Sequence, residues 1–225
     1  PCAYTEGTRF TNIGPSVDVR DGAHLVTDRV GFDAEVRVRD ASWRGIDVTI
    51  TTQGTAIEAN TSALHLSRLN VTSPGVPISD AKLDFVDSDV HIDTSCGPNC
   101  SDFGGTSTTL GIRHTGGPVI RARRGELLLD EVSVVGADGS ALVATEASSV
   151  TVRNSELQSL ATTGDVVTAN VECEAGSSVV FLETSVSASK LPSAADTIAL
   201  RVASCELDVV GPRDYLLSSG AVDST

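Results

Sequence analysis

One short pattern returns along this chain: an aliphatic residue, any residue, then a second apolar one. Val17-Asp-Val19, Val36-Arg-Val38, Leu64-His-Leu66, Leu83-Asp-Phe85, Leu127-Leu-Leu129, Val150-Thr-Val152, Val179-Val-Phe181 and Leu207-Asp-Val209 all carry it. Val17 to Val36 is 19 residues, Leu64 to Leu83 is 19, Leu127 to Val150 is 23, and Leu83 to Leu127 is 44, about two periods. Alternation with a period of two marks strands, and a fixed interval near 20 marks a repeat architecture.

Each period holds more than one strand. Val71, Val90, Val134, Leu157 and Val186 each lie seven residues after a first member of the pattern. Ile57, Val76, Ile120, Val143 and Leu200 each lie seven residues before one. Gly54, Gly75, Gly117, Gly139 and Gly164 fall between these segments, where a chain must turn. The reading is three short strands per period.

A turn of about 20 residues cannot bury its own apolar row, but stacked turns about 4.8 Å apart bury it jointly. The expected fold is therefore all-β: a right-handed parallel β-helix of roughly seven to nine coils with about three short strands per coil. A β-sandwich has short strands but not a seven-residue offset kept over several periods. A left-handed hexapeptide solenoid needs a six-residue aliphatic period, which is absent. In pattern, residues 16–217 resemble the pectin-lyase-like right-handed parallel β-helix superfamily, whose members include polysaccharide lyases, glycoside hydrolases, tailspikes, adhesins and autotransporter passengers. The resemblance implies the fold and does not choose among those activities. Residues 1–225 read as a single domain, with 1–15 as an N-terminal cap, 94–116 as an inserted loop and 218–225 as a tail. With no Met and a start at Pro1, the chain is expected to be excised from a longer protein.

The formal net charge is −14, with 15 of the 30 acids in residues 1–105 and 15 after them, so no acidic tail accounts for it. Such a field repels nucleic acid and anionic membrane and favours cations or basic partners. No apolar run is long enough to insert into a membrane. Five cysteines in a β-rich chain predict an oxidising compartment: extracellular, cell-surface or periplasmic. Cys96 and Cys100 flank a Gly-Pro-Asn turn and are expected to form a disulfide; Cys173 and Cys205 are candidates for a second. Asn60, Asn70 and Asn99 each begin an N-glycosylation pattern.

One strand collects chemistry. In Asp89-Val-His-Ile-Asp93, inward Val90 and Ile92 would leave Asp89, His91 and Asp93 on the outer face. The register read above stacks Asp47 and Asn70 in the column of Asp89, and Thr49 and Thr72 beside His91. Asp47, Asn70 and Asp89 are thus candidate ligand-binding residues, and calcium is the cation such oxygen columns take. Asp89, His91 and Asp93 are the catalytic candidates, since two carboxylates can serve as acid and base toward a glycosidic bond. His91, Cys96, Cys100 and His114 suit zinc by residue type, although their spacing is irregular. Arg121, Arg123 and Arg124 lie near Glu126, Asp130 and Glu131 and read as a surface ion-pair patch. Arg20-Asp21 and Arg39-Asp40 are 19 residues apart and are expected to stack. Trp43, the sole Trp, reads as a corner or cap residue, or as a sugar-stacking ring if exposed.

Three functions are consistent with this pattern. The favoured one is a non-catalytic structural, adhesive or assembly module of a surface or matrix protein, whose partner is a glycan or another protein. The alternative is a polysaccharide-active enzyme, a lyase or glycoside hydrolase, or a carbohydrate-binding domain using Asp89, His91 and Asp93. The Asn-x-Asp, Asp-Asp, His-Gly and Arg-x-Lys set of polygalacturonases is missing, and Lys82 and Lys190 are isolated. The third is end-to-end self-association of open coil edges.

Overall fold

The computed structural model describes residues 2–6, 9–10, 16–52, 54–72, 81–86, 88–93, 110–115, 118–161, 168–174, 176–190, 197–211 and 221–224. Among them every regular element is a strand, and the strands form sheets of eleven, nine and four members. Ladders in all three sheets are parallel. Parallel neighbours cannot be joined by a tight hairpin, so the chain must travel elsewhere before it returns.

It returns by way of the other sheets. The first sheet stacks Cys2–Glu6, His24–Phe32, Ser42–Thr51, Ala63–Ser67, Asp89–Asp93, Glu126–Asp130, Ser149–Arg153, Ser178–Leu182 and Glu206–Val210 in that order. The second stacks Ser16–Arg20, Glu35–Arg39, Gly54–Asn60, Ala81–Val86, Ile120–Arg123, Leu142–Thr145, Thr168–Glu174, Thr197–Ala203 and Ala221–Ser224. The third stacks Leu110–Thr115, Val132–Ala137, Glu156–Ala161 and Ser185–Lys190. From Ala81 to Val210 the chain visits second, first and third sheets in rotation, a solenoid-like path.

The aliphatic pattern makes the core. One inward column of the first sheet is Leu66, Ile92, Leu129, Val152, Phe181 and Val209, in register from strand to strand. In the second sheet, Val38, Ala59, Phe85, Ala122, Ala144 and Cys173 form another. From Leu66 to Phe181 the first column is buried, and so is the whole of the second. Taking one such aliphatic side chain out of water stabilises by about 1.5–3 kcal/mol.

The strand assignment differs from expectation at several places. Leu83 and Phe85 lie in the second sheet, not beneath Leu64 and Leu66; their places there are taken by Val90 and Ile92. Val17 and Val36 also lie on second-sheet strands, Ser16–Arg20 and Glu35–Arg39. The reason is the seven-residue offset itself. It separates Ile120 from Leu127 between second and first sheets, and Leu127 from Val134 between first and third. A strand cannot be assigned to a sheet by that offset alone. Phe85 fits because its column neighbours, Ala59 and Ala122, are small.

The boundaries change too. Residues 2–6 and 9–10, expected as a cap, pair with His24–Phe32 and extend the first sheet. Residues 110–115, expected within the insertion, are a third-sheet strand, and 221–224, expected as a tail, add a strand to the second sheet.

Corners are cut by left-handed residues. Asp40, Thr61, Arg124, Ala147 and Ser204 have positive φ between second- and first-sheet strands. Glu131, Asn154 and Glu183 do the same after first-sheet strands, as do Arg29, Asp47 and Arg68 in the earlier part of the chain. At Arg29 and Asp47 the ladder between His24–Phe32 and Ser42–Thr51 is interrupted, because the chain bends there. Next to the corners stand small hydroxyl residues. Ser88 Oγ accepts from Ser62 N at 3.2 Å, Ser177 Oγ from Ser148 N at 3.1 Å, and Ser155 Oγ from Val132 N at 3.1 Å. These bonds satisfy buried amides that the sheet ladders do not reach.

Trp43 is interior rather than capping or exposed, edge-on to Phe32 with ring centroids 5.7 Å apart. Its indole nitrogen donates to Thr27 Oγ1 at 3.0 Å. Arg20 and Arg39 are in register, and Arg39 reaches both Asp18 and Glu58. Arg124 pairs with Glu146 on the neighbouring coil.

Candidate functional site

The strand Asp89–Asp93 sits in the middle of the first sheet, between Ala63–Ser67 and Glu126–Asp130. Val90 and Ile92 are buried, so positions 89, 91 and 93 alternate with them on the other face. The register places His91 opposite His65 on one side and Leu128 on the other, and Asp89 between Ala63 and Glu126.

The three ligand candidates are not one column. Asn70 is opposite Thr49, and Thr72 opposite Thr51, one sheet position beyond the corner. Asp47 is a corner residue whose carboxylate receives both Nε and Nη2 of Arg68. That hydrogen bond raises the Arg68 guanidinium pKa above its ordinary value, and partial burial opposes the rise. A carboxylate so occupied is a poor calcium ligand. Asp47, Asn70 and Asp89 therefore lie in three different settings, and the stacked-oxygen arrangement predicted from the spacing is not formed. Cys96, Cys100 and Asn99 lie outside the described residues, as does most of the 94–116 insertion.

What the first sheet does carry is an open groove of about 880 Å³ across its outer face. It runs from His24 and Val26 over Arg44, His65, Glu126 and Leu128 to Ser149, Thr151 and Arg153. His24 Nδ1 and the Ser42 hydroxyl are hydrogen-bonded at one end. At the other end Arg153 pairs with Asp130 at 2.9 Å, and Asn154 Nδ2 donates to the same carboxylate at 3.1 Å. Asp130 is 7% exposed, so these bonds are what makes its burial tolerable. The groove floor mixes hydroxyl, imidazole, guanidinium and aliphatic groups on strands about 4.8 Å apart.

Arg44, Thr151 and Arg153 did not stand out in the sequence. Their signal is positional: each lies beside an inward apolar residue, Trp43 or Val152, and only the correct strand-to-sheet assignment shows that they share a face.

The Cys173–Cys205 disulfide joins the second-sheet strand Thr168–Glu174 to the corner before Glu206–Val210, with Cα atoms 5.7 Å apart.

Comparison with family models, with curated proteins and with solved structures found no match to this chain.

Proposed function

We propose that this chain is a right-handed parallel β-helix that serves as a non-catalytic structural, adhesive or assembly module of an exported protein, at a cell surface, in a matrix or in a periplasm. The observation that carries the reading is the first sheet itself. Nine strands from Cys2 to Val210 stack in sequence order, with a shared inward column and corner residues that repeat from coil to coil. A stack of this kind is a stiff, quasi-one-dimensional body with a long lateral surface, suited to display and assembly. The Cys173–Cys205 bond supports an oxidising compartment. The partner is a glycan or a protein of that surface.

The test combines turnover and binding. The oxidised chain, incubated with a panel of neutral and acidic polysaccharides, should release neither reducing ends nor unsaturated products, and should bind a surface glycan or protein partner without altering it. Bond cleavage at a steady rate would overturn the non-catalytic reading.

The groove supports a second reading, a carbohydrate-binding or polysaccharide-active face around Asp89, His91 and Asp93. The strand spacing is close to the advance of one sugar ring along an extended glycan, whereas an extended peptide advances about 3.3 Å per residue. If this reading holds, Thr151→Arg, which fills the groove, abolishes glycan binding, and Asp89→Ala weakens it. Binding that both variants retain would remove the groove from consideration.

A further inference from the structure

We propose that His65 and His91 form a surface site for a divalent transition ion of the zinc, nickel and copper class. The two residues are opposite one another in a parallel ladder that pairs Ala63–Ser67 with Asp89–Asp93 without a shift of register. Leu64 and Leu66 are buried on one strand, and Val90 and Ile92 on the other. Alternation therefore puts positions 65 and 91 on the same outer row of adjacent coils, and His65 is exposed there. Along that row Val26, Arg44, His65, His91, Leu128 and Thr151 follow one another in register. Among the described residues no other ladder sets two histidines opposite each other: His24 faces Cys2 and Ser42, and His114 faces Gly136.

The spacing fits two imidazoles on one ion. Metal–nitrogen bonds of about 2.0–2.1 Å in a tetrahedral shell hold two ligand nitrogens roughly 3.4 Å apart. Adjacent strands are about 4.8 Å apart, so rings on neighbouring coils need to lean together by only about 1.4 Å. Rings two coils apart, at about 9.6 Å, could not share an ion. Ala63 and Ser67, the residues flanking His65 on its own face, are small and leave its ring room to turn. Imidazole nitrogen is a ligand that zinc, nickel and copper favour, whereas calcium and magnesium take oxygen. Among the described residues no group of three or more His, Cys, Asp or Glu stands together to hold an ion. The site is thus a two-imidazole one, and water fills the remaining positions.

The charges around the pair favour a cation on balance. Arg44 is opposite His65 on the preceding coil and repels an approaching ion. Asp89 and Asp93 lie two positions to either side of position 91, and Glu126 is opposite Asp89 on the following coil. These carboxylates, in a chain of net charge −14, outweigh the single guanidinium.

Isothermal calorimetry with zinc chloride tests this, on the oxidised full chain at about pH 7.5, above the ordinary imidazole range. The wild type should bind one ion. His65→Ala and His91→Ala should each weaken binding roughly tenfold or more, since even groups that only orient a metal ligand cost that much. Arg44→Ala should tighten it about threefold, because a like charge on the next coil is gone. His114→Ala should leave it unchanged. The fluorescence of Trp43, the sole Trp, verifies that each variant is folded. A wild type that binds no zinc would overturn the site. So would binding that survives both His65→Ala and His91→Ala, which would assign it to the diffuse acidic field. Binding lost in His91→Ala and His114→Ala but kept in His65→Ala would assign the ion to the 94–116 segment and overturn the pair as well.

Discussion

Arg68 donates both Nε and Nη2 to the carboxylate of Asp47, and both residues hold positive φ at the same corner of successive coils. The pair links neighbouring coils where backbone pairing is interrupted. Side-chain exposure is 20% for Arg68 and 38% for Asp47, so solvent screens part of the attraction. The estimate is therefore about 1 kcal/mol, near the upper end for exposed pairs. Arg68→Ala should lower stability by that amount in denaturant titration. Arg68→Gly should cost less, because glycine relieves the left-handed strain at φ 54° while losing the same bond. The pH dependence has a definite sign. A base whose folded pKa is raised stabilises fully below its unfolded pKa and loses that contribution only as pH climbs through the folded one. For an arginine this window lies in strong alkali, so the wild-type-to-Arg68→Ala difference should be the same at pH 7 and pH 9.

Thr27 is 1% exposed and accepts the Trp43 indole proton. Thr27→Val keeps the shape and removes the acceptor, leaving a buried N–H unpaired, which costs about 1–3 kcal/mol. Thr27→Ser keeps the hydroxyl and should cost less. Trp43 is the sole Trp, so its fluorescence reports the unfolding of both variants directly. A Thr27→Val variant as stable as the wild type would show that the bond contributes nothing net.

The two phenylalanines of the inward columns should respond differently to volume. Phe181 lies between Val152 and Val209, whereas Phe85 lies between Ala59 and Ala122. Either Phe→Ala change should cost about 3–5 kcal/mol. Phe85→Ala should be the worse of the two, since three small residues in succession leave no large neighbour to relax into the space. Thermal unfolding of both variants ranks them, and the reverse order would contradict the column assignment.

How much of this was readable in advance can be argued from the same residues. The strands, their inward positions and the stacking were legible, because alternation and recurrence are properties of the chain itself. The assignment of strands to sheets was not. Leu64 to Leu83 is 19 residues and looks like a period, yet the true neighbour of Leu64 is Val90, 26 residues on. Equal offsets between consecutive sheets made the two choices indistinguishable. The candidate site inherited that shift: the spacing set Asp89 beside Asn70 and Asp47, whereas the register sets Asp89 beside Glu126 and His91 beside His65. The Arg68 to Asp47 pair had no sequence signal, because it depends on two corners being equivalent.

Gly125 gives a test in which imitating its neighbours should do harm. Ser88, Ser148 and Ser177 occupy the same corner position on nearby coils, following residues 87, 147 and 176, as Gly125 follows Arg124. Serine at 125 would therefore appear to complete the series. The backbone forbids it. A Cβ added to Gly125 would stand 2.3 Å from the Ser88 carbonyl oxygen and 2.7 Å from the Ser88 nitrogen, so backbone rather than a movable side chain would have to yield. That carbonyl is also in use, since it accepts from Glu126 N at 3.1 Å. Any shift that admits the Cβ therefore breaks or stretches one of the bonds that join these two coils, at the start of their ladder. Gly125→Ala and Gly125→Ser should each destabilise by about 1–3 kcal/mol, the range for overpacking a filled site. The added hydroxyl should not rescue the serine variant. Ser148→Ala, which only removes a hydroxyl from the series, should cost less than either. Denaturant midpoints for the three variants decide the matter. A Gly125→Ser protein as stable as the wild type would show that this corner has room to move and that the contact with Ser88 does not hold the two coils together.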